Sequence, residues 1–272
     1  MNFDIFIPVG PNDYEIVKYS LKNNKKRIES YKDILLYSEY KNFNFENTLD
    51  IDEDFFPFTK KEVHERVKNK DRSGWIYQQL VCLYYPYLQK KSEFVLVIDS
   101  DVFFTKNIKF FEENKGIFTV GTENHIPYFE HMNKLHPEIT KVDNFSGISH
   151  HMLFSNTILK SMFKFIEKYH GKEFYKVYID NLDPDETSPS ADYEIYYNYA
   201  LKFYPEKYKT RKLTWTNLDR FTLNNFKNFD MVSLPHWKKT RPSDFYENLK
   251  EFNFIRSLKS FNNYIYLENF FK

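Results

Sequence analysis

The run FVLVIDSDVFF, residues 94–104, constrains the fold more than any other part of the chain. Its first five residues are apolar without alternation, so a strand here must be covered on both faces, as strands inside parallel sheets are. The segment before it, SGWIYQQLVCLYYPYLQK, places Ile76, Leu80, Leu83, Tyr84, Tyr87 and Leu88 at helical spacing, with Gln78 and Gln79 on the other side. Further upstream, residues 3–9 read as a buried strand closed by Gly10-Pro11. Residues 12–26 follow as a helix with Ile16, Val17 and Leu21 on one face, and a second strand begins at Asp33. A βαβ opening of this kind predicts a layered α/β sheet, mixed but mainly parallel, flanked by helices.

Beyond Lys106 the pattern predicts strands in GIFTVGTE and ISHHMLFS and a helix over 156–170. A polar loop, YIDNLDPDETSPS, then leads into a helix beginning near residue 190, with Ser188-Pro189 as its cap and first position. No repeat, low-complexity linker or change of composition divides the 272 residues, and one domain is expected.

Bulk properties narrow the function classes. The 39 basic and 38 acidic residues leave a net charge of +1, too weak a field to predict a nucleic-acid partner. A single cysteine, Cys82, excludes an internal disulfide framework and a multi-cysteine zinc site. The start MNFDIFIPVG does not read as a signal peptide, and no apolar run reaches the ~20 residues of a membrane helix, so a cytoplasmic protein is expected.

The chemistry lies at Asp99 and Asp101. Both follow the central strand, at the sheet edge where ligands bind in open α/β folds. On an extended backbone residues i and i+2 point the same way, roughly 6–7 Å apart from a rise of about 3.3 Å per residue. Carboxylates held so can share one hard divalent cation. The plain alternative is a pair of polar residues ending a strand, but apolar Val102-Phe103-Phe104 resumes at once and would draw both acids out of water. Two enzyme classes carry Asp-x-Asp after an apolar strand. Sugar transferases use it to hold Mn²⁺ or Mg²⁺ against a nucleotide diphosphate. Haloacid-dehalogenase-type phosphatases use the first Asp as nucleophile and the second as acid/base. The phosphatase version belongs on a first strand and needs a later acidic pair behind another strand, whereas DPDE at 183–186 lies in a loop. The six glycines form no phosphate-cradling loop, which leaves that task to a metal.

In order along the chain, DIFIPVGPND, FPFTKKEV, RSGWIYQQLVCL, FVLVIDSDVFF, SHHMLF, ADYEIYYNYAL and LPHW resemble the GT-A glycosyltransferases, closest to a bacterial and viral branch mostly of unknown function. The likeness runs from Asp4 to Trp237. It implies a GT-A-like, Rossmann-like sheet with a nucleotide-binding half over about residues 1–105 and an acceptor half over 106–272. It also implies transfer of a sugar from a nucleotide-diphosphate donor to a hydroxyl acceptor in glycan or polysaccharide synthesis. A non-catalytic sugar- or nucleotide-binding protein on the same fold is the reading from a different class.

Under that resemblance Asp99, Asp101 and His236 hold Mn²⁺ or Mg²⁺, and Asp192 or Glu194 is the acceptor base. Acids at a helix start also simply complement its dipole, and residues two apart on a helix do not share a face. Val9, Asp13, Arg72, Gln78, Gln79, Ser100 and Lys239 are the further nucleotide-sugar contacts. Asp13 equally reads as a helix cap, and Arg72 and the glutamines as solvated helix residues. His150 and His151, read as strand neighbours on opposite faces, divide into one sugar or acceptor contact and one core histidine. The aromatic tail FNNYIYLENFFK allows at most a peripheral membrane contact and has packing on its own domain as the simpler account.

Overall fold

The structure is a computed structural model that describes residues 2–38, 45, 49–218 and 228–235. His236, Lys239 and the aromatic tail lie outside the described residues.

The chain opens β1 (Phe3–Pro8), α1 (Tyr14–Asn24), β2 (Tyr31–Tyr37), β3 (Leu49–Ile51), α2 (Lys60–Arg66), α3 (Ser73–Leu88), β4 (Phe94–Ile98). It continues β5 (Val102–Phe104), β6 (Phe111–Glu112), β7 (Lys115–Thr119), α4 (Ile126–Leu135), β8 (His151–Ser155), α5 (Asn156–His170), α6 (Phe174–Asp180), α7 (Asp192–Phe203), β9 (Tyr208–Arg211), β10 (Trp215–Asn217) and β11 (Met231–Ser233). The main sheet has the order β3-β2-β1-β4-β8, with β8 antiparallel to β4 and the other pairs parallel. It is a mixed, mainly parallel α/β sheet flanked by helices. Strand β4 is interior, and Val95, Leu96, Val97 and Ile98 are fully buried, which accounts for its unbroken apolar run.

Helix α3 differs from its expected one-sided pattern. It is buried nearly all round, from Ile76 to Pro86, and Gln79 is inside with the apolar residues at 4% exposure. At its far end Asn156 donates to the carbonyls of Pro86 and Tyr87, tying the last turn of α3 to the start of α5. The aromatic excess is core: Phe6 stacks on Tyr85, Phe163 on Phe174 and Phe118 on Tyr208.

Two small sheets complete the fold, β10-β11-β5 and β6-β7-β9. The first of these corrects the expectation that Asp99 to Asp101 continue an extended strand. The chain leaves the main sheet after Ile98, turns through 99–102 with Val102 N–H donating to Asp99 O at 3.2 Å, and pairs β5 with β11. Helix α7 likewise begins at Asp192 behind Ala191, so Ser188-Pro189 belongs to the loop rather than to the cap. Among the described residues no helix is long and apolar enough to cross a membrane.

Candidate functional site

The turn after β4 is fixed from three sides. Ser100 is buried, its hydroxyl donates to Asp13 Oδ2 at 2.8 Å, and its carbonyl accepts from Ser20 Oγ at 2.5 Å. Asp13 therefore clamps the turn from the start of α1. Asp101, 8% exposed, accepts from Ser233 Oγ at 3.0 Å, and its carbonyl accepts from Leu234 N–H at 3.1 Å. Asp99 is held through its backbone by His150 O at 3.0 Å.

That last contact extends the β4–β8 ladder by one residue and brings His150 against Asp99. His150 precedes β8 and sits in the left-handed region at φ 59°, so it is not a strand residue as its sequence context suggested. Its Nδ1 lies 3.0 Å from Asp99 Oδ2, and its ring stands edge-on to Trp215 at 4.8 Å. Its neighbour His151 is a core histidine, with Nε2 paired to Thr119 Oγ1 at 2.9 Å and its ring against Phe104 and Phe110. This removes His151 from the candidate acceptor or sugar contacts. Burial drives its imidazole well below the ordinary range, keeping it neutral.

Three acids share this region. Burial, then repulsion by Asp99, raises Asp101 to about 6. Burial followed by the Asp99 charge also holds Asp192 well above the usual carboxylate range. Burial alone would lower His150, but the hydrogen bond and charge of Asp99, with Asp101, win and raise it. Tyr193 adds a hydroxyl 3.4 Å from Asp99 Oδ1. The result is a patch with more carboxylate than its own side chains neutralise, which is the electrostatic setting a hard cation would relieve. Among the described residues no group of three or more His, Cys, Asp or Glu is already arranged around one point to hold a metal. The two turn carboxylates are close enough for the Asp99 charge to raise Asp101. His236 is outside the described residues, while Ser233 and Leu234, shortly before it, both contact Asp101.

The two base candidates separate clearly. Glu194 is 1% exposed and accepts from Ser146 Oγ at 2.6 Å, Gly147 N–H at 2.8 Å and Asn198 Nδ2 at 3.0 Å. With both oxygens engaged it anchors the 146–147 loop to α7. Asp192, two residues earlier and so on the opposite side of the helix, interacts with the Asp99 charge. It is positioned by Gln79, whose Oε1 accepts from Ser190 Oγ at 3.0 Å and from the Tyr178 hydroxyl, and whose Nε2 donates to Ser190 O at 3.2 Å. Gln79 is thus a buried brace between α3 and the loop before α7 rather than a ligand contact. Sequence periodicity missed this because a glutamine facing a loop carbonyl looks locally like one facing water.

Val9 is also structural: its side chain is in the core, and its N–H donates to Tyr37 O at 2.8 Å. Gln78 is half-buried and makes no hydrogen bond to the described residues. Arg72 is half-buried, 4.2 Å above the Trp75 ring, and lines a separate cavity beside the 182–189 loop. Ser20, Tyr193, Ser233 and Trp215 join the site from elements whose sequence carried no signal for it.

No curated protein matches the chain. Residues 16–257 match the sequence family described as "Family of unknown function (DUF6492)", and the chain belongs to that family.

Proposed function

We propose that this protein is a GT-A-like, metal-dependent glycosyltransferase that moves a sugar from a nucleotide-diphosphate donor to a hydroxyl acceptor. The observation that carries the reading is the acidic turn 99–101, at the carboxyl end of an interior parallel strand, with Asp101 raised to about 6 by burial and by Asp99. Asp99 and Asp101 would hold Mn²⁺ or Mg²⁺. Bound there, the cation supplies charge neutralisation for the diphosphate leaving group.

The remaining chemistry falls to the chain's own groups. Asp192 takes the proton of the acceptor hydroxyl as its oxygen bonds to the anomeric carbon, while the bond from that carbon to the diphosphate oxygen breaks with its electron pair leaving on the diphosphate. Burial and the Asp99 charge raise its pKa, so it is the stronger base once ionised, and a cation at Asp99 would favour that ionisation. His150 holds Asp99 in place. Ser100 and Asp13 keep the turn rigid under the nucleotide.

The test is thermal unfolding with nucleotide diphosphates and their sugars, each with and without Mn²⁺, on the wild type and Asp101→Asn. A ligand at 100 times its Kd adds about 2.7 kcal/mol. A midpoint rise that needs both metal and one nucleotide, and vanishes in the variant, supports the transferase. Metal-dependent turnover of a simple phosphate ester without any nucleotide response would replace it with the phosphatase. No response of either kind would leave a binding protein.

A further inference from the structure

The start of α3, the end of α6 and the loop over 182–189 enclose a cavity of about 170 Å³. Its inner wall is apolar, with Val67, Ile76, Ile179, Leu182 and Pro189. Arg72 lines the cavity over the Trp75 ring; among the described residues it has no ion pair, and its Nε is buried without a hydrogen-bond partner. Burial lowers its pKa, offset in part by Tyr128. The acids around the cavity are engaged elsewhere. Arg66 is paired with Asp180 through contacts of 2.7 and 2.8 Å, and Lys172 also reaches Asp180. Asp183 is on the exposed rim, where its Oδ1 accepts from Asp185 N–H, and Lys68 is exposed with no ion pair among the described residues.

A guanidinium nitrogen buried without an acceptor is costly unless something supplies one. The planar guanidinium fork matches a carboxylate or a phosphate. We propose that this cavity is an oxyanion site centred on Arg72, which takes the acidic group of the acceptor sugar. The substrate class rests on the transferase reading given above; the oxyanion site itself does not. The volume is several times the ~30 Å³ share of one water and below the ~300–1,000 Å³ of cavities that enclose a drug-sized ligand. It therefore takes a charged group on a larger molecule and leaves the rest outside.

Geometry links the cavity to the candidate base. Helix α3 carries Arg72 and Ile76 in the cavity wall and Gln79 one turn further on, bonded to Ser190. The loop carries Leu182 and Pro189 in the wall, then Ser190, then Asp192 at the start of α7. An acidic group held by Arg72 is thereby placed at a fixed remove from Asp192, across a brace that ties both walls together.

The experiment uses the full chain and thermal unfolding at constant ionic strength, with inorganic phosphate, glucuronate, glucose 6-phosphate and neutral glucose as probes. Because phosphate also stabilises proteins non-specifically, each titration is repeated on Arg72→Gln, Arg72→Lys and Asp101→Asn. The expected result is a saturable midpoint rise with phosphate and with one acidic sugar but not with glucose. Arg72→Gln should weaken it at least tenfold, Arg72→Lys, which keeps charge but not the fork, should weaken it partially, and Asp101→Asn should leave it unchanged. Glucuronate or glucose 6-phosphate as the stronger probe names the acid. An anion response that survives in Arg72→Gln, or no anion response in the wild type, overturns the site. If Arg72→Gln instead loses only the response to nucleotide sugar with Mn²⁺, Arg72 serves the donor; the oxyanion site is then wrong and the transferase stands. An Arg72-dependent anion response without any nucleotide response upholds the oxyanion site and removes the transferase.

Discussion

His150 Nδ1 lies 3.0 Å from Asp99 Oδ2, and the same two residues are joined through the backbone by Asp99 N–H and His150 O at 3.0 Å. The acid at the end of β4 and the histidine before β8 are thus held by one double contact across the sheet. The left-handed φ of 59° at His150 is what turns its ring toward Asp99 instead of along the strand.

Asparagine tolerates left-handed backbone better than most residues. His150→Asn should therefore fold normally, with a stability change within about 1 kcal/mol. It removes the imidazole from Asp99, and the proposed sugar transfer should fall by about 10²-fold or more. Denaturant midpoints and initial rates on the same preparation check both halves.

The two acids of α7 should respond oppositely. Asp192→Asn removes a carboxyl whose ionisation is disfavoured by burial and by Asp99, so stability at pH 7 should hold or rise. Transfer should drop by roughly 10²–10⁴-fold. Glu194→Gln turns an amide toward donors from Ser146, Gly147 or Asn198 and should cost about 2 kcal/mol in unfolding free energy. An Asp192→Asn variant with full activity would end the base assignment.

Gly147 has no room for a methyl group. An added Cβ would lie 2.4 Å from Tyr197 Cβ and 2.9 Å from Tyr193 O. Gly147→Ala should destabilise by about 1–3 kcal/mol, loosening the loop that Glu194 anchors. In α3, Gly74 has nothing within 4 Å of such a Cβ, and Gly74→Ala should stabilise by about 0.5–1 kcal/mol. Paired thermal melts of the two variants make the comparison.

For pH dependence, Asp101 has its folded pKa raised from 3.8 to about 6. Protonation thus favours the folded state: the contribution is full below about pH 4 and is lost as pH rises through about 6. Asp101→Asn should flatten that fall and raise stability at pH 7 by on the order of 2 kcal/mol in chelator-treated protein. Added Mn²⁺ should recover part of the loss in the wild type and none in the variant.

His131 has the opposite sign. It is buried with Nε2 on Tyr178 O at 2.9 Å, and burial lowers it from 6.5 to about 4. Its contribution is full above pH 6.5 and is lost as pH falls toward about 4. His131→Gln should remove that acid limb, read from melts between pH 4 and 7.

Local sequence determined the parts of the protein that depend on one segment's own periodicity. The unbroken apolar run of β4 requires cover on both faces, and the 3.6-residue spacing of α1 requires a buried stripe, so the layered sheet and the place of Asp99 at its edge were legible. Tertiary structure decided what each polar side chain meets. Asp192 and Glu194 are two residues apart in the same first turn, yet one faces Asp99 and the other closes on Ser146 and Gly147. Nothing local distinguishes them, because the 146–147 loop arrives from 47 or 48 positions away. The turn at 99–102 is likewise set by β11, whose pairing with β5 draws the chain out of the main sheet. Apolar periodicity reports that a face is buried; only the packed chain fixes which donor or acceptor stands opposite it.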